Sequence, residues 1–159
     1  MKKETINLVK QIRSTEILEP FMCTVCSEHG AEAVIDDKIK SWCAVKPDAY
    51  YNSLNLVSTP PAVDCVITCQ CKKHKFDHYL VELKSTTTSL THEWDKVYRK
   101  FEKTIEKFIF NDFEEIYLSE SGFIIKLVVV HRIVKTDLQL VTKKLFSQPI
   151  NFREYQYNI

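Results

Sequence analysis

Glycine is nearly absent. Gly30 and Gly122 are the only two in 159 residues. That excludes a Gly-rich loop of the kind that cradles nucleotide phosphates. Turns must be built from Asn, Asp, Ser, Pro and Lys instead. Long hydrophobic runs are missing too. The longest, Phe123 to Val134, is broken by Lys126 and by His131-Arg132, so nothing offers the ~20 apolar residues of a membrane-spanning helix. The opening residues, Met1-Lys2-Lys3-Glu4-Thr5, are charged where a secretory leader is apolar. The expectation is an intracellular, cytoplasmic protein with no membrane partner. An excess of one charge is also lacking. Basic side chains number 22 and acidic ones 21, for a formal net charge of +1. Nothing attracts a polyanion globally, so any nucleic-acid contact must come from a local patch.

What is present describes an ordinary globular chain. Hydrophobic residues are 45% and charged residues 27%, enough apolar material for a core. A length of 159 residues suits a single domain. Six cysteines in an intracellular setting point to thiols or metal ligands rather than disulfides.

Periodicity predicts the elements. Ile6, Val9 and Ile12 form the apolar side of a short N-terminal helix. Ile35, Ile39 and Trp42 are spaced i, i+4, i+7 and predict a helix over 31–42, with Glu32 beside the stripe. Tyr51, Leu54 and Leu56 alternate enough to predict a strand within 50–57. Residues 62–71 read as a strand with Val63, Cys65, Ile67, Cys69 and Cys71 on one face. Residues 78–85 read as the next, with Tyr79, Val81 and Leu83 on one face and Leu80, Glu82 and Lys84 on the other. A long amphipathic helix runs from Leu90 to Ile109 through Trp94, Val97, Tyr98, Phe101, Ile105 and Phe108. Glu114–Leu118 and Phe123–Val134 read as strands around a turn at 119–122, and Thr136-Asp137 caps a last helix carrying Leu138, Val141 and Leu145. A strand, a long helix and a strand in succession make a parallel crossover. The expected fold class is α/β (α+β mixed), a central mixed sheet flanked by helices.

Chemistry concentrates at Asp64 and at Glu82-Leu83-Lys84. Two carboxylates at the edge of an apolar sheet cost solvation energy unless something compensates them. A divalent cation does so, and phosphodiester hydrolysis uses one to stabilise charge and orient water. Mg²⁺ or Mn²⁺ takes hard oxygen ligands: Asp64, Glu82 and the Leu83 carbonyl. Lys84 shares a strand face with Glu82, where it could hold the attacking water or the phosphate. An acid-x-Lys triplet is common in a chain this charged. Its place on adjacent apolar strands ahead of a long helix sets it apart.

In this arrangement the sequence resembles the PD-(D/E)XK, or restriction-endonuclease-like, nucleases over roughly residues 30–130. The resemblance implies a metal-dependent phosphodiesterase site on a mixed sheet, with Asp64, Glu82 and Lys84 as its aspartate, glutamate and lysine. It also implies a glutamate on the first core helix, for which Glu32 is the first candidate and Glu28 the second. Asp64 follows Val63 rather than proline, with Pro60-Pro61 slightly earlier. The Gln-x-x-x-Tyr of the exonuclease-like branch is absent, with Trp94 standing where glutamine would precede Tyr98.

Other clusters carry two readings each. Cys23 and Cys26 have knuckle spacing, and with Cys69, Cys71 or His74 they could form a structural Zn²⁺ site. Buried cysteines also pack as small hydrophobes, the reading for Cys43 and Cys65. His78 lies on the Glu82/Lys84 face. Lys72, Lys73 and Lys75 could touch a phosphate backbone or form a solvated loop. The lysines of the long helix alternate with acids and read as salt-bridged surface. The expected function is Mg²⁺-dependent cleavage of DNA or RNA, as an endonuclease. A small, neutral chain would work as a homodimer or in a larger assembly. The alternative is a non-catalytic scaffold of the same fold, with zinc for stability. A domain that binds a nucleotide without cutting it is the third.

Overall fold

A computed structural model describes residues 7–28, 31–33, 35, 37–72, 75–84, 90–119, 123–131 and 156–158. Helix α1 spans Leu8–Arg13, and the Asn7 side chain caps it by accepting from the Val9 amide. A 3₁₀ turn over Glu19–Phe21 leads into β1, Met22–Cys23. Strands β2 (Cys26–Glu28) and β3 (Ala31–Ala33) form a separate antiparallel hairpin. Then come β4 (Trp42–Val45), α2 (Pro47–Ser53), β5 (Cys65–Lys72) and β6 (Lys75–Lys84). Helix α3, Leu90–Lys103, widens into π-helical turns over Thr104–Asp112. The short α4 (Glu114–Tyr117), β7 (Phe123–His131) and β8 (Gln156–Asn158) follow.

Six strands make one sheet in the order β1-β4-β5-β6-β7-β8. Pairs from β1 to β6 are antiparallel, while β6–β7 and β7–β8 are parallel. The mixed sheet of the α+β class is therefore observed, and α3 joins the parallel pair β6 and β7. One face packs on the helices. Val66, Leu80 and Ile125 of the strands meet Trp94, Val97, Phe101, Ile105, Phe108 and Ile109. The other face is smaller. Cys65, Ile67, Cys69, Val81 and Leu83 lie there with Cys26 of the hairpin, packed against Ala33, Ile35 and Ile39. Period two delivers the two faces of β6 as expected, since Leu80 and Val81 enter opposite clusters.

Four sequence expectations are corrected. Residues 31–42 are not a helix. Ala31–Ala33 pair with Cys26–Glu28 in the hairpin, so Glu32 sits opposite Ser27 on a strand. Ile35, Ile39 and Trp42 do bury one side together, but from a loop and a strand start. The strand expected within 50–57 is the helix α2. Pro47 is pre-set for its first turn, and Tyr50 and Tyr51, adjacent in sequence, both reach Phe108. Asn55 follows with φ 51°, the left-handed turn that glycine would otherwise supply. The strand expected at Glu114–Leu118 is α4, where the preceding Phe113 and the last residue, Tyr117, are buried one helical turn apart. Phe123–His131 therefore has no hairpin partner there and pairs with β6 instead. The last correction concerns cysteine. Cys26 and Cys65 form a disulfide between residues 39 apart, whereas the sequence reading made Cys26 a candidate zinc ligand and Cys65 a core residue. The helix expected around Leu138, Val141 and Leu145 lies outside the described residues. Among the described residues no helix is long and apolar enough to cross a membrane.

Candidate active site

The antiparallel register sets the first contact. Cys65 pairs with Val81, so the chain one residue before Cys65 runs opposite Glu82. Asp64 sits at that point, and its Oδ2 accepts a 2.6 Å hydrogen bond from the Leu83 amide. An aspartate at the mouth of β5 thus continues the ladder with its side chain. Asp64 is buried, and so is Glu82. Glu82 Oε1 accepts from the Lys100 ammonium at 2.6 Å and lies 3.1 Å from Lys84. Lys100 is also 4.0 Å from Asp64 Oδ1, and Lys84 is 3.7 Å from Glu93 of α3. The trio singled out in the sequence is brought together at one end of β5 and β6.

Three further side chains join it. Glu28, Asp48 and Asp64 each place a carboxylate oxygen within 4.8 Å of the others. Among the described residues this is the only group of three or more His, Cys, Asp or Glu side chains that close. The second candidate, Glu28, is therefore at the site, and the first, Glu32, is on the opposite strand of the hairpin. Asp48 is brought in by the first turn of α2, which the sequence reading made a loop. Lys100 was read as solvated surface. Its signal was present: Lys100 and Thr104 are two polar residues one helical turn apart beside the buried Val97 and Phe101, and Thr104 is itself fully buried.

Burial, with like charge added to it, shows in the proton affinities. Burial pushes Asp64 up to about 6, the Leu83 amide opposing and the neighbouring Glu28 reinforcing the rise. Burial raises Glu82 also, Lys100 opposing and Asp64 adding. Asp48 is raised by burial and by Asp64. For Lys100 burial favours the neutral amine, but the hydrogen bond to Glu82 outweighs it and the ammonium is held more firmly than usual. A carboxyl held at about 6 in the fold against 3.8 ordinarily binds its proton more tightly folded than unfolded. Its contribution to stability is then complete below pH ~4 and is lost as pH rises through ~6. Asp64→Asn is expected to stabilise the protein by about 1–3 kcal/mol at pH 8 and to change nothing below pH ~4. Urea unfolding across that range checks this.

The remaining candidates are placed elsewhere. His78 is on the Glu82 face but fully buried, with Nδ1 2.9 Å from Thr68 Oγ1 and its ring against Tyr117 and Phe123. Burial drops its pKa to about 4, so it stays neutral. Lys72 and Lys75 are exposed at the far end of the hairpin, about 30 Å along β6 from Lys84 at ~3.3 Å per residue. They do not share a phosphate with the trio. Lys73 and His74 lie outside the described residues. The four-cysteine zinc site is not assembled: the Cys26 sulfur is bonded to Cys65, Cys69 is buried in the sheet, and Cys71 is exposed. Burial pushes the Cys69 thiol up to about 11, which disfavours the thiolate a metal needs. Compared with protein-family models, with curated proteins and with solved structures, the chain finds no match.

Proposed function

We propose that the chain is a Mg²⁺- or Mn²⁺-dependent nuclease, an endonuclease on DNA or RNA, built on a restriction-endonuclease-like core. The observation that carries this is Glu82. Among the described residues its Oε2 is buried with no hydrogen-bond partner, and Asp64 is near enough for its charge to raise the Glu82 proton affinity. Hard carboxylate oxygens, one of them unsatisfied, suit a small divalent cation. Asp64 and Glu82 would hold it, and Glu28 and Asp48, each with a carboxylate oxygen within 4.8 Å of one of Asp64, would add a ligand or orient its waters. Such an ion, when bound, neutralises charge on the phosphate and favours ionisation of water.

The chain's own residues supply the rest. Lys84, held between Glu82 and Glu93, places an ammonium where the scissile phosphate gathers negative charge. The Leu83 amide fixes Asp64 by its 2.6 Å bond, so that one carboxylate oxygen is directed and immobile. Asp64 must be ionised to serve, and burial raises its proton affinity, so protons compete with the cation there and activity at limiting cation should fall as the pH is lowered. An intracellular setting, and a homodimer or larger assembly on the nucleic acid, belong to the same proposal.

A second reading, a non-catalytic scaffold, is favoured by the two lysines already on Glu82. One assay separates them. Labelled single- and double-stranded DNA and RNA are incubated with wild type and Lys84→Ala, with Mg²⁺ or Mn²⁺. Cleavage by wild type and its loss in the variant is expected. Equal cleavage by both removes the trio from catalysis, and none by either leaves the scaffold.

A further inference from the structure

The Lys100 ammonium occupies the space between the two carboxylates. It is 2.6 Å from Glu82 Oε1 and 4.0 Å from Asp64 Oδ1. Lys84 shares the same Glu82 oxygen but has Glu93 as a second partner outside the pair. Lys100 is therefore the cation that bridges the pair. Its backbone is anchored. Thr104 Oγ1 donates to the Lys100 carbonyl at 2.7 Å and accepts from the Val63 amide at 2.9 Å. That bridge fastens the turn of α3 carrying Lys100 to the residue before Asp64. The helix widens into its π-helical turns from Thr104 onward, a distortion frequent at functional sites. The Lys100 side chain is 29% exposed, so its ammonium has a path to water on a flexible four-carbon stem.

We propose that Lys100 is a built-in counter-ion of the Asp64/Glu82 pair, competing with a divalent cation for the same two carboxylates. This rests on reading the pair as a metal site. With Lys84 and Lys100 both on Glu82 Oε1, a divalent ion taken by Oε2 of the same carboxylate meets strong like-charge repulsion from the Lys100 ammonium. Binding of the ion moves Lys100 out, and loss of the ion lets it return. The acids thus stay compensated in either condition, and the lysine sets how much free cation the site requires.

The test is binding, not cleavage. Mn²⁺ is titrated by calorimetry into wild type, Lys100→Met and Lys100→Gln. Both variants should bind at least about tenfold more tightly, since the competitor is gone. In parallel, wild type is briefly acylated with an amine reagent, with and without Mg²⁺, and Lys100 is mapped by mass spectrometry. Its labelling should rise severalfold with the ion. If all three proteins bind Mn²⁺ equally, the metal site stands and the competition is wrong. If none binds, the metal reading fails and this one with it. Binding by the variants alone supports the competition in its strongest form. Should the variants not fold, unchanged Lys100 labelling in Mg²⁺-bound wild type overturns the proposal, and increased labelling upholds it.

Discussion

Glu82→Gln is expected to lower Mg²⁺-dependent cleavage by about a thousandfold or more while leaving the fold intact. Glutamine has the shape of glutamate, so no cavity opens at a side chain that is 1% exposed. Its amide oxygen can still accept from Lys100. What disappears is the charge, and with it the attraction for a divalent ion. Thermal unfolding of the variant is expected to stay within a few degrees of wild type, because the buried carboxylate is itself a burden and its proton affinity is raised by that burial. Cleavage and melting on the same preparation check both halves. Full activity in a folded Glu82→Gln protein would take Glu82 out of the mechanism.

Opening the Cys26–Cys65 bond is expected to cost about 4 kcal/mol, the loop-closure figure for a crosslink of this span. That is a large fraction of a typical domain's 5–15 kcal/mol. The bond spans 39 residues and is the covalent tie between the β2–β3 hairpin and the sheet. Urea unfolding with and without a dithiol reductant measures the effect, and coincident curves would count against it. A local consequence accompanies the global one. Cys26 is two residues from Glu28, and Cys65 follows Asp64. Loosening the hairpin withdraws Glu28 from Asp64, which removes one cause of the raised Asp64 pKa. Disulfides are opened in reducing compartments, and there the reduced curve is the one that applies.

Legibility in the sequence followed the physics of each element. The β5–β6 hairpin and α3 were readable because their patterns come from burial on one sheet face or one helix stripe. Trp94, Val97, Phe101, Ile105 and Phe108 carry the 3.6-residue period without interruption, and all are fully buried or within 1% of it. The misread segments are short and pack by aromatics. In α2 the pair Tyr50-Tyr51 satisfies no period, because Tyr50 leans on Phe21 and Phe113 while Tyr51 bonds Asp112 through its hydroxyl. In α4 four residues are too few for any period to show. The 31–42 segment had helical spacing, but its apolar residues meet the sheet from a loop held by the disulfide.

The site divides in the same way. Asp64, Glu82 and Lys84 were legible because two strands joined by a tight hairpin can have only a few registers, and burial on both faces selects one. That makes the contact of Asp64 with the Leu83 amide a near-local matter, determined by the sequence itself. Glu28, Asp48 and Lys100 come from a hairpin, a helix and a crossover helix that are 36, 16 and 36 residues from Asp64. Their arrival depends on how separate elements dock, through the disulfide, the Tyr51–Phe108 packing and the Thr104 bridge to Val63. No pattern along the chain encodes such long-range meetings. They follow from the shape of two packed layers, and only the tertiary structure decided that a lysine from α3 would stand between the two carboxylates.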